Sequence, residues 1–144
     1  MKTVSVIVPL WNGEAWIRAC LAALAGQSQA APFAVEVVVV DNHSTDDSAG
    51  IVEREFPWAR LLRNRRNLGF AGGCNVGLAA AAGDPLVLLN QDTVVQTGWL
   101  AGLVAALEKG GAGVAGSLAL LADGQRVQHA GGEVAWPLGV ARHR

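Results

Sequence analysis

The stretch at residues 86–95 constrains the fold of this chain more than any other. Four apolar residues follow the turn signal Gly83-Asp84-Pro85 and precede the polar run Asn90-Gln91-Asp92. This pattern is typical of a strand buried on both faces of a parallel sheet. Because ligands bind beyond the carboxyl ends of such strands, Asp92 is placed to act on a ligand. The alternative is that Asp92 only starts a turn or caps the segment that follows.

Strand and helix patterns alternate along the rest of the chain. The apolar spacing predicts strands over residues 4–9, 35–40, 59–62, 86–89 and 114–121. It predicts four helices. They lie over residues 14–26, about 71–82 and 99–107, and the remaining one begins at a capping box formed by Ser44 and Asp47. The sum is an α/β fold with a doubly wound, mostly parallel sheet of five strands.

The last part of the chain has a different pattern. Asp123-Gly124 is a hairpin signal, and the glycines and proline that follow it leave little room for a packed element. By length, residues 1–144 are expected to form a single domain, with residues 122–144 as an irregular tail or hairpin. A chain that stops in such a tail is expected to be truncated at its C-terminus, before a further half of the protein.

Composition excludes several classes of function. The formal net charge of -1, with interspersed signs, argues against nucleic acid or a polybasic membrane surface as the main partner. No apolar run approaches the length of a transmembrane segment, and the N-terminus carries no signal-peptide pattern. Cys20 and Cys74 fall on apolar helix faces without a CxxC pair. We expect buried, reduced thiols in a cytoplasmic protein.

Polar clusters follow three of the predicted strands, so they should lie side by side along one crevice. Trp11 offers an aromatic face to a nucleotide base, and Asp41 offers acceptors to a base N–H or a ribose hydroxyl. Trp11 could instead be a core or interface aromatic, and Asp41 a turn residue.

Two further features fit the diphosphate of a nucleotide. The glycine-rich segment 69–73 opens a helix, whose free N–H groups favour anions, although it could equally be a turn that packs against a strand. Asp92 could bind Mg²⁺ or Mn²⁺ whose other ligands are diphosphate oxygens and waters.

Four motifs together resemble family 2 glycosyltransferases. They are Val4-Ser-Val-Ile-Val-Pro-Leu-Trp-Asn-Gly13, Val37-Val-Val-Val-Asp-Asn-His-Ser-Thr-Asp-Asp-Ser48, Asn67-Leu-Gly-Phe-Ala-Gly-Gly-Cys-Asn-Val-Gly77 and Leu88-Leu-Asn-Gln-Asp-Thr93. The resemblance implies the GT-A fold, a nucleotide-diphospho-sugar donor such as a UDP- or dTDP-sugar, a divalent cation (Mg²⁺ or Mn²⁺), and inversion at the anomeric carbon.

The resemblance also implies roles for individual residues. The donor-contacting positions are Pro9, Trp11 and Asn12 in the first loop, Asp41 as the base-recognising aspartate, and Asn67, Gly69 and Asn75 along the donor pocket. Asn90-Gln91-Asp92 matches the D-x-D metal motif, with Asn90 in place of its first aspartate. Asp92 is then the direct metal ligand, while Asn90 and Gln91 can contribute only neutral groups.

The asparagine form of that motif looks more like the rhamnosyltransferase-like branch, with a glycan or lipid-linked acceptor. Neither His129 nor Glu133 matches the catalytic base that the family places in a later segment. We therefore expect a donor-binding portion that is inactive alone, peripheral to the inner face of a membrane and able to self-associate. A non-catalytic nucleotide-sugar-binding domain is the alternative. An NAD-type oxidoreductase is disfavoured, since no G-x-G-x-x-G follows the first strand.

Overall fold

A computed structural model describes residues 2–27, 31–110, 113–135 and 140–143. The chain forms two compact units, residues 1–101 and 102–144. The first unit contains, in order, β1 (Thr3–Leu10), α1 (Ile17–Ala25), β2 (Ala34–Asp41), α2 (Ser48–Glu55), β3 (Arg60–Arg63), α3 (Gly69–Ala80) and β4 (Leu86–Leu88). Helix α4 (Trp99–Gly110) begins at the end of this unit. The predicted α/β fold is confirmed.

The central sheet of the first unit has four parallel strands in the order β3-β2-β1-β4. The chain moves outward from β1 to β2 to β3, and then returns past β1 to add β4 on the other side. With right-handed crossovers, this reversal places α1 and α2 on one face of the sheet and α3 on the other. The reversal point lies at the carboxyl end of β1, where an open α/β sheet has its binding crevice.

Helix α3 packs very closely onto the sheet at Gly77. A β-carbon added there would lie 2.3 Å from Cγ2 of Ile7 and 3.0 Å from Cγ2 of Val40, so only glycine fits without displacing the strands. Ile7, Val38 and Val40 form a fully buried cluster on this face. This contact fixes the position of α3, and therefore of its N-terminal turn, relative to the strand ends.

Strand β4 is shorter and more exposed than the sequence predicts. Val87 is buried, but Leu86 and Leu88 are each about half exposed, so the prediction of burial on both faces is wrong. Leu88 pairs with Ile7 and lies on the face of the sheet that α3 covers. Because β4 is an edge strand and α3 packs over Ile7, the outer leucines are left partly open to solvent.

The second unit contains two antiparallel strand pairs. Strands β5 (Ala119–Leu120) and β6 (Val127–His129) form one pair, and β7 (Gly132–Ala135) and β8 (Val140–His143) form the other. The predicted fifth parallel strand over residues 114–121 is therefore wrong, and Val114 in that segment is 86% exposed. The predicted Asp123-Gly124 hairpin is confirmed, because the Asp123 carboxylate accepts two backbone N–H groups in the turn between β5 and β6.

Both cysteines are free and buried, as predicted. Burial raises the pKa of the Cys20 thiol to about 12, and the negative charge of Asp92 contributes to the shift. The thiol therefore stays protonated at neutral pH. None of the helices in the described residues combines the length and hydropathy that a membrane span requires.

At the amino end of the sheet, Glu36 anchors the end of α3 to the strands. Its carboxylate accepts a hydrogen bond from the buried Ser5 hydroxyl and another from the Ala82 N–H at 2.9 Å, while the Ser5 hydroxyl accepts the Gly83 N–H at 2.8 Å. These hydrogen bonds, the Ser5 contact first, hold the pKa of Glu36 below its usual range. The ionised carboxylate thus stabilises the folded state.

We predict that Glu36→Gln lowers the free energy of unfolding at pH 7 by about 1–2 kcal/mol, because a charged acceptor forms stronger hydrogen bonds than a neutral one. Folding lowers the Glu36 pKa, so this contribution is complete above the unfolded value of about 4.3 and is lost as the pH falls through the folded value. Urea unfolding of both proteins between pH 3 and pH 7 measures the difference, which should shrink towards low pH.

Glu53→Gln is the matched control for this experiment. Glu53 is exposed and pairs with Arg63 at 3.0 Å on the surface, where ion pairs contribute little. If Glu53→Gln lowered the free energy of unfolding as much as Glu36→Gln, the stabilising role of Glu36 would be contradicted. A Glu36→Gln effect that does not change with pH would contradict it as well.

Candidate functional site

A cleft of about 410 Å³ opens at the carboxyl edge of the sheet, in the first unit. It is bounded by the loops that follow β1, β2, β3 and β4. The residues lining it are Pro9, Leu10, Trp11, Asn42, Asn67, Gly69, Phe70, Asn90, Gln91 and Asp92. The structure therefore brings together seven of the ten positions singled out in the sequence. Asn12, Asp41 and Asn75 are not among the lining residues.

The side chain of Gln91 joins the two loops on either side of the sheet reversal. Its Oε1 accepts the Trp11 N–H at 2.8 Å, and its Nε2 donates to the Trp11 carbonyl at 3.1 Å. One amide thus satisfies both backbone groups of Trp11, as a neighbouring strand would. Trp11 is 53% exposed and lines the cleft, so it is not a core aromatic, and its contact with a base stays a prediction.

Asn42 organises the opposite wall of the cleft. Its Nδ2 donates to Oδ1 of Asn67 at 2.8 Å and to the Gly69 carbonyl at 3.0 Å. Its Oδ1 accepts the Leu68 N–H at 2.9 Å and the Asn64 side-chain amide at 3.1 Å. The buried amide therefore uses its whole hydrogen-bonding capacity on the loop between β3 and α3.

Asn12 joins the loop after β1 to the loop after β2. Its Oδ1 accepts the Thr45 N–H at 2.8 Å, and its own N–H donates to the Ser44 hydroxyl at 3.0 Å. The backbone of Asn12 is left-handed, with φ of 46°, a conformation that asparagine adopts more readily than most residues. Its predicted nucleotide contact stays a prediction, since the side chain is engaged between the loops.

The predicted capping box of Ser44 and Asp47 is wrong. Helix α2 begins at Ser48, and Asp47 at its N-cap position makes no side-chain cap hydrogen bond. The Ser44 hydroxyl is used by Asn12 instead, and the Ser48 hydroxyl accepts the Gly13 N–H at 2.8 Å. Both serines therefore connect loops rather than cap the helix.

Asp41 ends β2 directly beside the cleft, with its side chain buried. Its Oδ1 accepts the Ser44 N–H at 3.0 Å, and its Oδ2 lies 3.9 Å from a guanidinium nitrogen of Arg63. Arg63 is in turn held by Glu53. These contacts fix the carboxylate in one orientation. Recognition of a base by Asp41 remains a prediction.

Asp92 is exposed in the turn after β4 and lines the cleft. The described residues contain no group of three or more His, Cys, Asp or Glu side chains that could hold a metal alone. Mg²⁺ and Mn²⁺ are commonly bound by one or two carboxylates together with substrate phosphates and waters, so a single exposed carboxylate fits this mode. Asp92 would hold the cation, and Asn90 could add only a neutral oxygen.

Three lining residues were not among the predicted site residues. Leu10 and Asn42 adjoin predicted positions, and each is buried. Phe70 is 62% exposed, although an aromatic ring of its size is usually covered. The sequence feature that could have identified Phe70 is an aromatic residue within the glycine-rich segment 69–73. By contrast, the predicted Asn75 lies on the exposed side of α3.

Residues 5–132 match the family described as Glycosyl transferase family 2. This range covers most of the chain and every residue that lines the cleft. The chain belongs to glycosyl transferase family 2, as the motifs indicate.

Curated relatives share the same region. Protein y4gI of Sinorhizobium fredii, uncharacterised, is 31% identical over 133 residues, which are 89% of this chain and 14% of that protein. An uncharacterised glycosyltransferase of Mycobacterium tuberculosis is 33% identical over 107 residues, which are 74% of this chain and 44% of the relative. The chain thus spans less than half the length of these relatives.

Solved structures of glycosyltransferases share the fold. TarS of S. aureus in complex with UDP-GlcNAc superposes with a TM-score of 0.64 and 32% identity, over 76% of this chain and 32% of that one. A Pyrobaculum calidifontis mannosyltransferase with GDP-Man and Mn²⁺ gives 0.64 and 30%, over 72% and 32%. Mycobacterium tuberculosis glucosyl-3-phosphoglycerate synthase with Mn²⁺ and UDP gives 0.59 and 27%, over 74% and 39%. The predicted GT-A fold is confirmed.

We predict that Gln91→Ala loosens the Trp11 loop without unfolding the protein. The Trp11 N–H would lose its acceptor, so its amide hydrogen should exchange roughly fivefold faster, which corresponds to about 1 kcal/mol for one hydrogen bond. Amide exchange followed by NMR measures this rate. Asn90→Ala is the control, because the hydrogen bonds of Asn90 in the structure use its backbone carbonyl. Equal exchange rates of the Trp11 amide in the wild type, Gln91→Ala and Asn90→Ala would show that Gln91 does not hold the Trp11 loop.

Proposed function

We propose that this chain is the donor-binding portion of an inverting glycosyltransferase that uses a nucleotide-diphospho-sugar. One observation carries the proposal: a cleft within the family 2 region that is lined by an exposed tryptophan at one loop and an exposed aspartate at another. An aromatic face suits a base, and a carboxylate suits a cation on a diphosphate. UDP- and GDP-sugars bound to structurally similar proteins support this choice of ligand.

In this proposal, each donor group meets a different part of the cleft. Trp11 contacts the base, and Asp41 accepts a hydrogen bond from the nucleoside. Asp92 holds Mg²⁺ or Mn²⁺, which when bound neutralises the charge of the diphosphate leaving group. Asn90 cannot share the negative charge as an aspartate would. We therefore expect weak cation binding by the protein alone and stronger binding when the diphosphate supplies further oxygen ligands.

The transfer step needs a general base. The acceptor hydroxyl oxygen forms a bond to the anomeric carbon, the bond from that carbon to the diphosphate breaks with inversion, and a general base takes the hydroxyl proton. Asp41 and Asp92 are committed to nucleoside and cation. We therefore propose that this chain binds donor without appreciable transfer, since a positioned base contributes about 10²- to 10⁴-fold.

We also propose a donor class, an acceptor class and a site of action. The asparagine form Asn90-Gln91-Asp92 favours a rhamnosyltransferase-like enzyme with a UDP- or dTDP-sugar donor and a glycan or lipid-linked acceptor. A cytoplasmic site of action and attachment to the inner membrane face belong to this proposal. So does self-association, for which the half-exposed leucines of β4 offer apolar surface.

We predict that Asp41→Asn and Asp92→Asn separate the two parts of donor binding. Asp41→Asn keeps an acceptor for the Ser44 N–H but replaces a carboxylate oxygen by an N–H donor. It should therefore weaken UDP or dTDP binding by at least tenfold, about 1.4 kcal/mol, with and without Mn²⁺. Asp92→Asn should remove only the gain in affinity that Mn²⁺ provides. Isothermal titration calorimetry of each variant measures both effects.

Asp84→Asn is the control, because Asp84 is exposed at the opposite, amino end of β1. Equal and metal-independent losses in the two cleft variants would overturn the assignment of roles. No heat from either nucleotide with folded wild-type protein would overturn the proposed function itself.

A further inference from the structure

Phe70 is the exposed aromatic residue of the cleft that no predicted role explains. Phe70 is 62% exposed and lines the cleft together with Asn67 and Gly69. Exposed aromatic rings in a polar cleft offer a flat apolar surface on which a base can stack. It is the second residue of α3, whereas Trp11 lies in the loop that follows β1.

The loop that presents Phe70 is held in place without a ligand. Asn42 binds Asn67, Leu68 and Gly69, the three residues that precede Phe70. The Asn67 side chain also accepts the Gly69 N–H at 2.7 Å. Gly69 itself has φ of 73°, a left-handed conformation that favours glycine and turns the chain into α3. The position of Phe70 is therefore set before binding.

The order of the strands shows which end of a nucleotide would reach Phe70. Asp92 follows β4 at one end of the sheet, whereas Asn42 and the Phe70 loop follow β2 and β3 at the other. A diphosphate held through a cation at Asp92 leaves the nucleoside to extend across β1 towards β2. The base end of the ligand therefore lies towards Phe70, and the phosphates lie away from it. This arrangement differs from the expectation, drawn from the sequence, that residues 69–73 neighbour the diphosphate.

We propose that Phe70 is a donor-binding residue whose ring contacts the base of the nucleotide, with Asn42 as its positioning residue. The inference rests on the proposed function, because it takes a nucleoside diphosphate as the ligand. It adds a second aromatic contact, which the motifs did not assign, to that of Trp11. The contribution of Phe70 should depend on the base and be independent of the phosphates.

Calorimetry of two Phe70 variants tests how much Phe70 contributes to nucleotide affinity. With UDP and dTDP in the presence of Mn²⁺, Phe70→Leu should weaken the tighter of the two nucleotides roughly tenfold, and Phe70→Trp should restore most of the affinity. Binding of inorganic pyrophosphate with Mn²⁺ should be the same in all proteins. Leu68→Ala is the control, because Leu68 is exposed beside Phe70 but does not line the cleft. Thermal unfolding should be nearly unchanged by Phe70→Leu, since the ring is exposed.

Ring-proton NMR tests the contact itself. The chain has three phenylalanines and no tyrosine, and Phe33 and Phe56 are buried. In protein that is deuterated except for phenylalanine rings, the predicted result is a nuclear Overhauser effect from the Phe70 ring to the base protons of the bound nucleotide.

The outcomes separate the two claims. If the wild type binds nucleotide and Phe70→Leu binds it with the same affinity, the inference is overturned and the proposed function stands. The same holds if a saturated complex shows no nuclear Overhauser effect between the Phe70 ring and the base. An equal loss of pyrophosphate binding in Phe70→Leu also overturns it. If the wild type binds neither nucleotide, the proposed function fails and the inference fails with it.

Asn42→Ala tests the positioning role. It removes the hydrogen bonds that hold residues 67–69, so UDP affinity should fall while the pyrophosphate affinity stays within twofold of the wild type. If Asn42→Ala unfolds the protein, Asn64→Ala removes a single partner of Asn42 and should give a smaller loss in the same direction. Unchanged UDP affinity in folded Asn42→Ala would show that Asn42 does not position Phe70.

Discussion

The parallel pairing of β1 with a strand on each side is the constraint on which the rest of the structure depends. Because β2 and β4 both run in the direction of β1, three loops emerge at one edge of the sheet. The reversal of strand order at β1 separates the helices onto opposite faces and leaves a gap between the loops. The cleft therefore follows from topology, and the side chains decide what it can bind.

The walls of the cleft are fixed by side-chain amides that bind backbone groups. Gln91 holds Trp11 across the reversal, and Asn42 holds residues 67–69 on the other side. The Asn42 contacts satisfy partly buried polar groups that would otherwise carry a cost, whereas the Gln91 contacts lie in an exposed position. Ligand binding therefore needs little ordering of the loops, which leaves more of the interaction energy for affinity. The exposed groups of the cleft, Trp11, Phe70 and Asp92, are carried by this fixed frame.

The sequence predicts where the strand ends and their loops lie better than it predicts the side-chain contacts between those loops. The polar runs at Trp11, Asp41 and Asp92 could be placed at one edge because apolar strands precede them and strand ends meet in parallel sheets. The roles of Asn42 and Ser44 could not be predicted. Asn42 binds Asn67, which is 25 positions away, and the Ser44 hydroxyl binds Asn12, 32 positions away, instead of capping the next helix. Local patterns cannot choose between a nearby and a distant partner for the same polar group. Likewise, the apolar run of β4 does not reveal which of its faces a helix covers.

The central claim is that a nucleoside diphosphate and a divalent cation meet at Asp92 in the cleft at the carboxyl edge. Paramagnetic broadening of backbone amide signals by Mn²⁺, recorded with and without UDP, tests this claim most directly. The account predicts that UDP strengthens the broadening, that it centres on residues 90–92, and that it weakens through Trp11 to nothing at Thr3 and Ala34 at the other end of the strands. Broadening that UDP does not change, or that centres on the acidic loop at Asp46 and Asp47, would contradict it.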